Sequence, residues 1–356
     1  MAVQERRQER RLTSFSHGAG CGCKLGPADL ASVLSAVNLP ELGDDVLVAS
    51  DTGDDAAVVR LRDNEALIAT IDFFTPIVDD PYDWGRIAAA NALSDVYAMG
   101  GRPFLALNVV GWPVDELSLE LLARVLQGGI DVASNAGAAV LGGHTITDPE
   151  PKYGMVALGR SDADSVVRNS TAQPGAHLLL TKPLGFGIAT TALKRGIADP
   201  ELLSRAVELM AMTNADAADA MLIAGANAAT DVTGFGLLGH LLRMLQASGV
   251  SARVDASAVP VLDGVLELAQ RDVVPGGTKR NHAYVAPHVQ WGALTPPEQM
   301  VLADAQTSGG LLIATADHEW LGDELSGRRL PWADVGVVVD GRPGTIEVEG
   351  RLTRTT

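Results

Sequence analysis

The sequence predicts two domains, each mixing helices with strands, and three observations lead there. The chain has 356 residues, roughly two domains' worth at about 100 to 200 residues each. Its hydrophobic content of 47% is enough to fill two cores. Strand-like and helix-like stretches alternate in both halves, on either side of the polar run "SDADSVVRNSTAQPG" at residues 161–175.

In order, "AAVVRL" (56–61) and "EALIATID" (65–72) carry the period-two pattern of strands, and "YDWGRIAAANALSDVYAMG" (82–100) reads as a helix. The apolar run "PFLALNVVGW" (103–112) is a buried strand. A helix follows over 118–137 with Ser118 as its cap, then a strand over 138–144. In the second half, "AHLLLTKPLG" (176–185) is a strand running into a glycine turn, helices continue to about Asn227, and "DVTGFGLLGHLLRMLQASG" (231–249) is a turn feeding a helix. A last strand falls within "TIEVEGRLTRTT". The predicted domains are 1–50, a flexible glycine-rich lead-in; 51–160, the N-terminal domain; 161–175, a linker; and 176–356, the C-terminal domain.

The formal charge of −17 argues against a broad contact with nucleic acid, whose phosphates need a basic surface. No window approaches the roughly 18 uninterrupted apolar residues of a membrane span. Only two cysteines occur, one residue apart, and the N-terminus is charged, which points to a reducing cytoplasm. An acidic chain can hold a polyphosphate only where cations or converging N–H groups neutralise it.

The acids are placed to suit that chemistry. Asp54 and Asp55 precede one strand, Asp72 ends another, Asp95 shares a helix face with Asn91 at i, i+4, and Asp231 opens a glycine turn. Carboxylates without a histidine or cysteine cluster form the oxygen-rich set that Mg²⁺ takes, bridging one or two of them to phosphates. Taken singly, each is also an ordinary cap or turn residue. "LGGHTITD" (141–148) reads as a turn that cradles an anion, or as a plain glycine turn in which His144 is a satisfied polar group. "PLGFGIATTAL" and "VTGFGLLGHLL" share Gly-Phe-Gly before an apolar run; each brings a helix N-terminus close to a ligand or packs it tightly on a strand.

Both cysteines lie in "SHGAGCGCKLGP" (16–27), among four glycines and just before Lys24. A glycine-rich loop offers little apolar surface to bury a thiol, and a neighbouring cation favours the thiolate, so a reactive thiol on a closing lid is the better reading. Two thiols with His17 do not complete a metal site.

Together "SHGAGCGCKLGP", "GDDAAV", "IDFFTPIVDDPYDWGRIAAANALSDVYAMGG", "GGHTI", "TKPLGFG", "DVTGFGLLGH", "PGGTKRN" and "QTSGGLL" resemble the selenophosphate synthetase (selenide, water dikinase) family, in order from about Leu12 to Leu312. The wider superfamily includes aminoimidazole ribonucleotide synthetase, thiamine-monophosphate kinase and a hydrogenase maturation protein. The resemblance implies an α+β, two-domain aminoimidazole ribonucleotide synthetase-like fold, with N-terminal strands of two subunits forming a shared barrel in a homodimer. It implies conversion of ATP, selenide and water into selenophosphate, AMP and orthophosphate with Mg²⁺. By motif match Cys21 and Lys24 are catalytic. ATP contacts fall on Lys24, Thr52, Gly53, Asp54, Asp72, Asp95, Gly143, His144 and Thr145, the last three reaching across the dimer. Metal ligands fall on Asp55, Asp95 and Asp231. Ala305 stands where the family usually has proline, and "QERRQERR" reads as a solvated tail. Another enzyme of the superfamily would keep the aspartates without needing Cys21 and Lys24, a regulatory paralogue would lose the thiol, and a thiol module would need neither "DDAAV" nor "GGHTI".

Overall fold

A computed structural model describes residues 11–16, 18, 32–33, 36–37, 42–49 and 53–353. Strands β1 (Val46–Val48), β2 (Ala57–Arg60), β3 (Glu65–Phe74), β4 (Arg102–Trp112), β5 (Ala139–Thr147) and β6 (Lys152–Asp162) form a six-stranded sheet in the order β1-β2-β3-β6-β4-β5. All its pairings are antiparallel except β4 with β5. The second sheet has seven strands, β7 (His177–Leu180), β8 (Ala228–Asp231), β9 (Ser251–Asp255), β10 (Val289–Gln290), β11 (Leu311–Thr315), β12 (Ala333–Val339) and β13 (Ile346–Glu349), in the order β10-β13-β9-β12-β7-β11-β8. The architecture is α+β, two sheets each packed with helices.

One helix organises the N-terminal sheet. Helix α1 (Pro81–Ala98) starts on Asp80, whose side chain accepts from the Tyr82 and Asp83 N–H groups, with Pro81 pre-set for the first turn. It is buried almost all round, as its run of alanines allows. Helix α2 (Leu119–Asn135), capped by Ser118, lies against it with unusual closeness. A Cβ on Gly85 would stand 2.0 Å from the Val125 carbonyl oxygen, and one on Gly128 would stand 2.1 Å from that of Tyr82. Glycine is required at that contact because any side chain would force the helices apart.

Among the described residues no helix covers the sheet's other face. Val59, Ile71 and Phe73 point outward from β2 and β3, and Leu141 and Ile146 are exposed on the edge strand β5. That strand differs from the expected turn after residue 144: it runs on to Thr147, through "GGHT". The glycines serve a bulge instead. The β4–β5 register shifts between Ala106 and Asn108, and a Cβ on Gly143 would meet the Asn108 carbonyl oxygen at 2.1 Å.

The two Gly-Phe-Gly turns have the packing role. Gly185, at φ +120°, starts helix α3 (Phe186–Lys194), and the Gly185 and Phe186 N–H groups donate to Gln306 Oε1 while that of Ile188 donates to Asp304 Oδ2. The helix N-terminus is thus satisfied by the protein's own side chains. Helix α6 (Gly236–Ser248), the last before β9 after α4 (Pro200–Ala211) and α5 (Ala215–Ile223), begins at Gly236 with φ +70°, close against the Ala303 carbonyl. Residues 303–306 therefore seat both turns. Ala305 donates its N–H to Thr278 Oγ1 at 3.0 Å, a bond that proline could not make.

A candidate carboxylate centre between the two domains

The site grows from a match between two periodicities. Successive inward residues of β3 are about 6.6 Å apart, and residues at i, i+4 on a helix rise about 6.0 Å. Thr70 and Asp72 on β3 therefore meet Asp95 and Asn91 on α1 one to one. Thr70 Oγ1 donates to Asp95 Oδ2 at 2.5 Å, and Asn91 Nδ2 donates to Asp72 Oδ2 at 2.9 Å. The i, i+4 face read from the sequence is the face that meets the strand.

The C-terminal domain closes the site. Asp231, at the end of β8, is 1% exposed and comes together with Asp55 and Asp95, so that one carboxylate oxygen of each lies within 4.8 Å of the others. Thr230 Oγ1 donates to Asp55 Oδ1 at 2.8 Å and lies 3.4 Å from His240 Nδ1. Asp55 Oδ2 is buried with no hydrogen-bond partner among the described residues. Burial pushes the Asp55 carboxyl well above the usual carboxylate range, and the charges of Asp231, Asp95 and Asp54 push the same way. Three ionised carboxylates this close repel by roughly 3 kcal/mol per pair at an effective dielectric near 20. A hard cation fits the donor set: all oxygen, no sulfur or imidazole, with the buried Asp55 Oδ2 lacking a hydrogen-bond partner among the described residues.

Asp54 is held apart from that cluster by a turn in the 161–175 stretch. The Asn169 N–H donates to Asp54 Oδ1 at 2.9 Å, and Asn169 Nδ2 donates to the Gly53 carbonyl at 3.1 Å. Gly53, at φ +63°, lies under the Arg243 guanidinium. Asp72, 7% exposed, is linked to the cluster through α1 rather than belonging to it.

Gly143, His144 and Thr145 are elsewhere. They sit on β5, three strand positions from β3, or about 14 Å across the sheet at 4.8 Å per strand, and they are exposed. One chain does not bring them to the aspartates. Cys21, Lys24 and Thr52 lie outside the described residues.

Four participants had no role in the sequence reading. Thr70 and Thr230 orient carboxylates, and their neighbours Asp72 and Asp231 were the available signal. His240 packs behind Thr230 and faces Phe235 at 5.5 Å between ring centres. Lys182 is 1% exposed; its Nζ donates to the carbonyls of Met212 (2.6 Å) and Ser308 (2.9 Å), and burial pushes it down to about 7 against the pull of Asp231. Its position after a strand hinted at nothing beyond "TKPLG".

Residues 53–161 match the family AIR synthase related protein, N-terminal domain, and residues 173–349 match AIR synthase related protein, C-terminal domain. A selenide, water dikinase from Carboxydothermus hydrogenoformans is 47% identical over 343 residues, covering 95% of this chain and 98% of the relative. Another from Myxococcus xanthus is 48% identical over 356 residues, covering 98% and 100%. Among solved structures, thiamine-monophosphate kinase from Stenotrophomonas maltophilia superposes with a TM-score of 0.65 at 23% identity, covering 93% of this chain and 98% of the other, which is a likeness of fold.

Proposed function

We propose a reaction from one premise, which is that the chain belongs to the selenide, water dikinase family. It is an ATP-dependent phosphotransferase that turns ATP, selenide and water into selenophosphate, AMP and orthophosphate. The observation that carries the nucleotide site is the convergence of Asp55, Asp95 and Asp231 from both domains within 4.8 Å. An acidic cluster of that kind accepts a triphosphate only through divalent cations, and these three residues would hold Mg²⁺. When bound, Mg²⁺ supplies charge neutralisation along the phosphates.

The remaining work falls to the chain. Asp54, fixed by Asn169, and Asp72, fixed by Asn91, flank the nucleotide as rigid acceptors. Thr70 and Thr230 keep Asp95 and Asp55 turned toward the phosphates. Lys24 steadies transferring phosphate oxygens as a cation, and Cys21 presents selenium to the γ-phosphorus before water reaches it. The ADP formed is then hydrolysed in the same closed pocket.

The protein acts as a cytoplasmic homodimer in this reading. Support comes from the apolar face with Ile71 and Phe73, exposed among the described residues, and from the exposed strand β5, where a second copy would receive Gly143, His144 and Thr145 at its own nucleotide. Among the described residues no helix is long and apolar enough to cross a membrane. Anaerobic turnover of ATP to AMP, measured with and without selenide, tests the assignment. AMP formed at the same rate without selenide would overturn it.

A further inference from the structure

A second cluster of ligating side chains lies at the opposite end of β7 from Lys182. His177 opens β7, Asp334 sits on the neighbouring strand β12 opposite Leu179, and His318 begins helix α10 (His318–Gly327), after α7 (Val265–Gln270), α8 (Gly276–Val285) and α9 (Pro296–Leu302). Thr315, opposite His177 on β11, fixes the start of the short link to His318. One ligand atom from each of the three residues lies within 4.8 Å of the others.

The local geometry is more specific than proximity. The two imidazoles stack with ring centres 3.6 Å apart and planes 9° apart. Two nitrogens on one tetrahedral metal stand about 3.3 Å apart, given metal–nitrogen bonds of about 2.0 Å; because each lone pair lies in its ring plane, the rings must leave the stack and rotate by roughly 50° each to share one ion. His177 Nδ1 is 2.6 Å from Asp334 Oδ2, and Asp334 Oδ1 accepts from the Gly336 N–H, which fixes the carboxylate. His318 Nδ1 is buried with no hydrogen-bond partner among the described residues. A buried ring nitrogen left without a partner costs free energy, and a metal bond would remove that cost. All three side chains are half-buried, so an ion can enter from solvent.

We propose that His177, His318 and Asp334 form a site for a borderline transition-metal ion of the Zn²⁺ class, separate from the carboxylate centre. Two imidazoles with one carboxylate favour Zn²⁺, Ni²⁺ or Cu²⁺ over Mg²⁺, and water completes the coordination. Binding replaces the His177–Asp334 hydrogen bond, and each neutral imidazole keeps its single proton on the ring nitrogen that the ion does not take. The ion clips β7, β12 and α10 together, so its effect falls on the stability of the C-terminal domain.

The test is a Zn²⁺ titration of the full chain in saturating Mg²⁺, in a Cys21→Ser/Cys23→Ser background that removes the thiols as competing ligands. The expected result is one equivalent of Zn²⁺ bound, weakened at least tenfold by His318→Ala and by Asp334→Asn. Zn²⁺ at about 100 times its Kd should raise the Tm by roughly 5 °C in the parent and by less than a third of that in His318→Ala. His318→Gln, which keeps a polar side chain there, guards against a merely unfolded variant and should also lose the zinc response. Equal zinc affinity and equal Tm shifts in the parent and in a folded His318→Gln protein would overturn the proposal, as would no binding by the parent.

Discussion

Asn91 joins the two domains through one side chain: its Oδ1 accepts the Ser308 N–H at 2.8 Å while its Nδ2 donates to Asp72 Oδ2 at 2.9 Å. Ser308 holds a left-handed backbone, at φ +52°, and its carbonyl accepts from Lys182. A change in how the domains pack is thereby felt at Asp72.

Asn91→Ala removes the acceptor of the Ser308 N–H and one donor to Asp72 in a buried place. The expected cost is about 1–3 kcal/mol of stability, seen as a lower denaturation midpoint. Selenide-dependent AMP formation should fall more than tenfold, because Asp72 loses its orientation. Asn91→Asp should be worse, since it adds a carboxylate beside Asp72.

Nucleotide affinity should depend on Mg²⁺, dropping at least tenfold by calorimetry when the ion is chelated. Asp55→Asn removes one member of a mutually repelling set while Thr230 can still donate to it. The metal-free variant should therefore melt a few degrees above the parent, yet show little of the parent's rise on adding Mg²⁺ with nucleotide.

Asp304, which is not one of the three clustered carboxylates, gives a pH dependence of its own. It is fully buried, and burial pushes its carboxyl up to about 7, against hydrogen bonds from Thr278, Ile188 and Gln306. The folded state thus holds a proton that the unfolded chain releases near 3.8. Its contribution to stability is complete below that value and is lost as pH rises through about 7. Denaturant unfolding from pH 4 to pH 8 should show Asp304→Asn closing on, or passing, the parent as pH rises.

Ile71 and Phe73 are 56% and 46% exposed on a sheet face that no helix covers among the described residues. Burial of each such side chain is worth roughly 1.5–3 kcal/mol, and a two-fold contact counts it twice. Ile71→Asp should convert a dimer to a monomer in sedimentation, with the monomer keeping its secondary structure.

Cys21→Ser should abolish selenide-dependent AMP formation, whereas Cys23→Ser should retain it. Rates measured anaerobically on both variants check this. A fully active Cys21→Ser protein would remove the proposed thiol from the mechanism.

By itself the sequence determined the family, the alternation of elements, and the acids with their local spacing, because capping, period-two and i, i+4 patterns are written in neighbouring residues. Asn91 and Asp95 could be placed on one face without any partner in view. Tertiary structure alone decided what that face meets: Thr70, Asp72, Asp231 and Ser308 come from distant segments, and their hydrogen bonds exist only once the two sheets have closed on α1. The same holds for "GGHT", which reads as a turn by residue type and becomes an edge strand because pairing with β4 absorbs its glycines in a bulge. His177, His318 and Asp334 are separated by up to 157 residues, so no local pattern could have gathered them; strand register did.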